Sequence, residues 1–317
     1  MNDNIENIKV LVRIRPLKDP FQPKCILRID DYNLQIVTEK RELKSFSYDF
    51  IADEDSEQSL IFEKGGKSIC DYVLQGYNGT IFVYGQTGAG KTHTLLGPRY
   101  SSESEDKRIY SASDDGVLPR VINYLFDKIA YEIDNDISIF ITFLEIYNEV
   151  LSDLLDPNNN KPINIREDEN KQMVVDNITK IKINNSTEAL NLLMKGSKNR
   201  HVASTGMNKE SSRSHAVFSI YIENKSKMND KLKIVKSAFH LIDLAGSERQ
   251  KLTETVGVRL KEAGNINKSL MNLGHVINTI LENNDGKSRY IHYRDSKLTY
   301  LLKDSLGGNA KVRLNFI

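Results

Sequence analysis

Three short stretches of this 317-residue chain carry residue types that can handle phosphate and a divalent metal. The first, Gly85-Gln86-Thr87-Gly88-Ala89-Gly90-Lys91-Thr92, fits the spacing G-x-x-x-x-G-K-[ST]. It follows an apolar run and opens a stretch that reads as a helix over 91–96. The glycines let backbone N–H groups converge on phosphate oxygens, and the helix start adds partial positive charge. Lys91 is then placed to reach β- and γ-phosphates, and the Thr92 hydroxyl to ligate Mg²⁺. The second stretch, Asp243-Leu244-Ala245-Gly246, leaves an apolar run over 239–244. A carboxylate there can hold Mg²⁺ through water, and the Gly246 N–H can meet a γ-phosphate; alone, it also reads as an ordinary exit from strand to turn. The third runs from Asn208 through Ser211-Ser212-Arg213-Ser214-His215. Consecutive hydroxyls beside an arginine suit a loop that closes on Mg²⁺ and phosphate, or equally a Ser-rich turn before a strand. A guanine-reading N-K-x-D is absent, since no Asn-Lys pair (160, 170, 208, 224, 267) is completed by the aspartate.

The elements that must position these stretches are strands and helices in alternation. Residues 8–14 form a short apolar strand stopped by Pro16, 45–50 alternate weakly, and 56–75 have helical spacing interrupted by Gly65 and Gly66. Each glycine inside a helix costs about 1 kcal/mol. The run 80–84 reads as a fully buried strand, 97–116 as an exposed loop and 117–133 as a helix. Strands follow at 137–147, 217–223 and 233–244, with a polar turn at 225–230 between the last two. Over 266–281, Ile266, Leu270, Leu273, Ile277 and Ile280 share one helical face, and 298–306 is amphipathic. This order predicts an α/β fold: a three-layer P-loop NTPase with a mixed central sheet flanked by helices.

Composition narrows the partners. Forty-four Lys and Arg against 43 Asp and Glu leave a net charge of +1, which argues against a globally basic nucleic-acid binder. The charge-free run 72–90 holds Gln, Asn and several glycines and does not suit a membrane span, and the first four residues lack the pattern of a signal peptide. Cys25 and Cys70 have no metal-ligand spacing and suit a reducing compartment. The expectation is a soluble intracellular protein with no nucleic-acid or membrane partner.

Beyond the phosphate stretches, the chain contains VRIRP at 12–16, GYNGTIF at 76–82, GVLPR at 116–120 and LEIYNE at 144–149. DLAGSER follows at 243–249, NINKSL at 265–270 and YRDSKLT at 293–299. In this order they resemble the kinesin motor domain over nearly the whole chain, and RHVASTGMN at 200–208 with VGVRLKEAG at 256–264 is most similar to the class-12 branch. The resemblance implies a motor domain over 1–317 without its last helix and neck linker, binding ATP or ADP with Mg²⁺. It implies microtubule-stimulated ATP hydrolysis by a cytoplasmic, cytoskeletal head of the kind found on microtubules including the spindle, monomeric here and oligomeric in the full-length protein. The alternative is a nucleotide-gated microtubule-binding module without productive turnover.

Site roles follow from the same resemblance. Arg13, Arg15, Pro16 and His93 would frame the adenine beside the 85–92 loop. Ser212 would join Thr92 on Mg²⁺, and Ser211 would position the attacking water. Arg213 and Glu248 would form a salt bridge that closes two loops around phosphate, with Glu248 relaying a proton. Microtubules would meet Lys268 and the polar face around it (Asn267, Asn272, His275, Asn278), together with Arg294 and Lys297. The last two belong to a block over 287–303 with five basic residues, one aspartate and a net charge of +4. The final residues, 312–317, depart from the small and apolar types usual for the family's last strand.

Overall fold

A computed structural model describes residues 8–317 apart from 18, 20, 39, 102–110, 132–135, 207–210, 229–230, 249–257, 285 and 308–309. Nine of the twenty residues of the expected loop at 97–116, part of the turn at 225–230, and Arg249 therefore lie outside the described residues, and residues 98–101 of that loop are helical. The chain begins with β1 (Ile8–Arg13), β2 (Ile26–Arg28), β3 (Asn33–Val37), β4 (Leu43–Ser47) and β5 (Phe50–Ala52). Next come α1 (Gln58–Gly65), α2 (Lys67–Leu74), β6 (Asn78–Tyr84), α3 (Lys91–Leu96), α4 (Pro98–Ser101) and α5 (Val117–Ile129). The middle holds β7 (Asp136–Tyr147), β8 (Val150–Asp153), β9 (Asn164–Glu167), β10 (Met173–Asp176), β11 (Ile181–Ile183) and α6 (Ser186–Gly206). The last part is β12 (His215–Met228), β13 (Lys231–Asp243), α7 (Val258–Asn284), α8 (Lys297–Leu301), α9 (Lys303–Gly307) and β14 (Ala310–Phe316).

Nine strands form one sheet in the order β11-β7-β12-β13-β6-β14-β1-β5, with β8 on β7. Pairings around β6, β14 and β1 are parallel, and those among β7, β12 and β13 antiparallel. This is the expected mixed sheet. Its central strands are apolar on both faces, as burial between two helical layers requires. On one side Ile81, Val83, Phe218 and Phe239 pack with Ile61 of α1, Val73 of α2, Leu125 of α5 and Leu193 of α6. On the other, Phe82, Val217 and Ile242 pack with Leu273 of α7, Leu298 of α8 and Leu306 of α9.

Several expectations need correction. The helix expected over 56–75 is two helices, because the chain breaks at Gly66 (φ −118°, ψ −46°). The segment over 298–306 likewise divides into α8 and α9 at Leu302. Helix α6 was not expected, although it has a start signal: the Glu188 N–H donates to Asn185 Oδ1 (2.9 Å), and Asn185 Nδ2 donates back to the Glu188 carboxylate (3.0 Å).

The departure at 312–317 turns out to occupy the middle of the sheet. β14 lies between β6 and β1, and its Lys311, Arg313 and Asn315 point toward α1 and α2 with exposures of 9%, 7% and 0%. The Lys311 ammonium sits over the Tyr72 ring. Arg313 Nε and both polar atoms of the Asn315 amide have no hydrogen-bond partner among the described residues, and a side chain at Gly65 would press on Asn315 Oδ1 at 3.2 Å. Burying an unsatisfied polar group costs about 1–3 kcal/mol. Asn315→Leu, which keeps the branched shape and removes both polar atoms, is therefore expected to stabilise the fold by about 1–3 kcal/mol, read as a higher urea midpoint at unchanged m-value.

Candidate nucleotide and switch site

The register of the sheet builds the site. Asp243, the last residue of β13, is opposite Val83 of β6, two residues before Gly85, so the two apolar strands deliver the aspartate and the 85–92 loop to the same edge. Gly88 (φ +78°) and Gly90 (φ +111°) take left-handed backbone that L side chains rarely adopt, and the chain turns there into α3. A cleft of roughly 580 Å³ opens over this loop. Its walls include Arg15, Pro16, His93, Thr92, Ser212 and Asp243.

Lys91 is 7% exposed. Its ammonium donates to Gly85 O (3.0 Å) and Gln86 O (2.9 Å), so it caps its own loop. Burial lowers its pKa, opposed by the charges of Asp243 and Glu248. The Thr92 hydroxyl donates to Asp243 Oδ2 (2.8 Å). The other carboxylate oxygen, Oδ1, is buried with no partner among the described residues. That acceptor, the Thr92 hydroxyl and the nearby Ser212 are an all-oxygen donor set that fits Mg²⁺, which takes one or two protein oxygens alongside phosphates and water.

The two loops flanking the cleft are already tied together. Gly246 N–H donates to Ser212 O (2.7 Å), and Ser247 N–H donates to Gly85 O (3.1 Å). The Gly246 N–H expected to meet a phosphate is thus engaged, and must exchange Ser212 for it. A side chain at 246 would collide with Thr87 and Glu248.

Glu248 rests on the phosphate loop. Its carboxylate accepts from the Thr87 backbone N–H (2.8 Å) and the Thr87 hydroxyl, and no ion pair joins it to Arg213 among the described residues. Burial pushes its pKa up, but the Thr87 hydrogen bonds and the Lys91 charge outweigh this and hold it below the usual carboxylate value. The side chain of Ser211 lies outside the described residues. Around the expected base pocket, Arg15 and Pro16 line the mouth, whereas the Arg13 guanidinium is committed inward. It donates to Gln58 Oε1 (2.9 Å), Thr94 Oγ1 (3.0 Å) and Ser56 O (3.2 Å). Gln58 in turn donates to His93 O (2.8 Å), so Arg13 fastens α1 to α3 rather than facing the cleft alone. Burial, with the Arg13 and Arg15 charges, lowers the His93 pKa.

Two residues without an expected role prove central. Arg200, on α6, donates to Asp243 Oδ2 (2.9 Å) and Ser214 O (3.1 Å), with its Nε 3.8 Å from Glu145. All three charged groups are under 8% exposed. His215 accepts from the Ala245 N–H and meets Ser269 of α7. Both Arg200 and His215 stand inside recognised blocks, but 43 and 30 residues from Asp243 and Ala245, no spacing rule pairs them.

The microtubule-facing expectation is partly redrawn. Lys268 is exposed and Asn272 is not: its amide donates to Asp295 O (2.9 Å) and is 8% exposed. The side chain of Asn267 lies outside the described residues. Glu167 of β9 folds into the basic block and accepts from both Arg294 and Lys303 at 3.1 Å, while Arg289 pairs with Glu282. The block is therefore less positive than its sequence. Lys297 keeps its place by donating its backbone N–H to Glu149 (2.7 Å).

The model of the kinesin motor domain family matches residues 15–315. The chain belongs to the kinesin motor domain family. It is 46% identical to the kinesin-like protein KIF15-B of Xenopus laevis over 96% of this chain and 22% of that protein. Human KIF15 shows 45% identity over 97% and 22%, and KIN-12D of Arabidopsis thaliana 39% over 97% and 11%. The chain thus spans about a fifth or less of these relatives. Among solved structures it resembles a fast kinesin with a TM-score of 0.85 and 35% identity, covering 98% of this chain and 84% of that one. The kinesin fold and the class-12 likeness expected from the blocks are both borne out.

Within this kinesin head, removing the Arg200 guanidinium would leave two buried carboxylates uncompensated. Arg200→Ala is expected to cost about 3–5 kcal/mol of stability and Arg200→Lys to recover only part of it, since lysine lacks the fork that reaches Asp243 and Ser214 together. Chemical denaturation of both variants measures this.

Proposed function

We propose that this domain is a Mg²⁺-dependent ATPase whose turnover is stimulated by microtubules and coupled to microtubule binding and movement. Kinesin motor domains as a family are ATPases of this kind, and the solved fast kinesin it resembles is described by its ATPase mechanism and its interactions with microtubules. The observation that carries the reading is the Gly246–Ser212 hydrogen bond beside Thr92 and Asp243. It joins the two loops that would sense a γ-phosphate beside the residues that would hold the metal.

Thr92, Ser212 and, through water, Asp243 would hold Mg²⁺. When bound, the ion offsets the negative charge on the β- and γ-phosphate oxygens. Lys91 turns from the Gly85 and Gln86 carbonyls to the phosphates, a short movement that exchanges two neutral acceptors for charged ones. Gly246 N–H exchanges Ser212 O for a phosphate oxygen. Glu248 leaves Thr87 and swings toward Arg213, closing the loops and excluding bulk water. Held as a carboxylate, it then accepts a proton from the attacking water, directly or through a second water, while Ser211 orients that water. Arg15, Pro16 and His93 border the base, with Arg13 and Gln58 holding their supports. Lys268, Arg294 and Lys297 meet the acidic tubulin surface.

Glu248→Ala is expected to bind ATP yet hydrolyse it about 10²-fold or more slowly and to hold microtubules tightly in ATP. Phosphate-release kinetics and co-sedimentation check both, and near-wild-type turnover overturns the role. The same assay without and with microtubules separates an ATPase from a binding module that does not turn over.

Reversing charge at Arg294 and Lys297 is expected to raise the microtubule concentration for half-maximal ATPase and flatten its salt dependence, with basal ATPase nearly unchanged. Glu167→Gln, which releases Arg294 and Lys303, is expected to lower that concentration. A fall in basal turnover in the reversed variant would make the block structural.

A further inference from the structure

We propose that His215 is a positioning residue that couples the Asp243–Gly246 loop to helix α7 by fixing Ala245 and Ser269 to the two nitrogens of one neutral imidazole. The inference rests on the proposed function, because the coupling it describes is between nucleotide state and microtubule binding.

The geometry assigns the tautomer. Ala245 N–H donates to His215 Nδ1 at 3.0 Å, and a backbone N–H can only donate, so Nδ1 carries no proton. The ring proton is then on Nε2, which donates to Ser269 Oγ at 2.8 Å. The three residues are sealed from solvent: Ala245 is 0%, His215 2% and Ser269 2% exposed. Complete burial, with the Arg200 charge adding to it, pushes the imidazole down to about 3, in keeping with a ring that stays neutral. Arg200 is the charged group facing it from α6, with Asp243 beyond on β13.

The position of the link matters. Ala245 lies between Asp243, which accepts from Thr92, and Gly246, whose N–H joins Ser212. Ser269 follows Lys268, the exposed α7 residue expected to face the microtubule. His215 itself begins β12, an interior strand held on both sides by β7 and β13. A rigid strand thus presents a planar ring whose opposite edges touch the phosphate-sensing loop and the track-facing helix. Moving Ala245 when Gly246 turns to a phosphate strains the Nδ1 bond, and the ring can follow only by displacing Ser269. One buried donor–acceptor ring therefore gives the two elements a common two-state contact, as coupling requires.

Ser269→Ala removes the α7 end of the link. Its basal ATPase is expected to stay within about twofold of wild type, since no nucleotide contact is lost. The ratio of microtubule affinities between a non-hydrolysable ATP analogue and ADP is expected to fall at least about threefold, and the microtubule-stimulated kcat with it. His215→Asn, which keeps an acceptor near Nδ1 but cannot reach Ser269, is expected to behave as Ser269→Ala does. Amide hydrogen exchange without microtubules gives a second readout: Ser269→Ala should speed exchange at the Ala245 amide and leave the Lys91 and Thr92 amides unchanged. A wild-type affinity ratio together with unchanged exchange at Ala245 in Ser269→Ala overturns the link. A wild-type protein with no microtubule stimulation overturns the functional reading instead, and the exchange result then decides the link on its own.

Discussion

The buried carboxylate of Asp243 is the constraint around which the rest of the molecule is organised. It sits 3% exposed at the end of a central strand, and a charge so placed must be paired and hydrogen-bonded to be tolerated. Thr92 from the phosphate loop and Arg200 from α6 both donate to the same oxygen, and Arg200 leans toward Glu145 of β7. Three distant parts of the chain are thereby drawn to one point. The remaining oxygen has no partner among the described residues and is an acceptor that fits a nucleotide-bound cation. The interaction that makes the fold tolerate a buried charge therefore also prepares the site.

From that point outward, contacts become exchangeable rather than permanent. Lys91 rests on carbonyls of its own loop, Gly246 on Ser212 and Glu248 on Thr87. Each is a modest hydrogen bond to a neutral partner, and each has a better charged partner available when phosphate is present. Such a set is held open by weak bonds and closed by strong ones. The sheet behind it, apolar on both faces, does not share that freedom.

β14 shows that a fold can carry a local contradiction. Its alternation is right for a buried central strand on one face, where Val312 joins the α7–α9 core, and wrong on the other, where Arg313 and Asn315 meet α1 and α2. The ladder to β6 and β1 forms nonetheless, because backbone pairing on both sides and the apolar face outweigh two unsatisfied groups. The close approach of Gly65 to Asn315 and the break between α1 and α2 at Gly66 fall at the same place.

What the amino-acid sequence determined alone was short in range. The phosphate loop, the strand before it, Asp243 at a strand end and several of the interleaved helices were legible because each depends on residues within one or two turns of each other, although α6 was missed despite its local start signal. The family blocks supplied expectations for the adenine, metal and microtubule residues. Only the tertiary structure decided which partners these residues take. Arg13 fastens α1 to α3, Glu248 rests on Thr87, Asn272 is buried by Asp295, and Glu167 offsets the basic block. Arg200 and His215 had no assigned role until the sheet brought α6, β12 and β13 together. Periodicity and spacing report the local backbone, whereas a buried charge or imidazole is defined by groups that fold in from elsewhere, and that information resides in strand order and register.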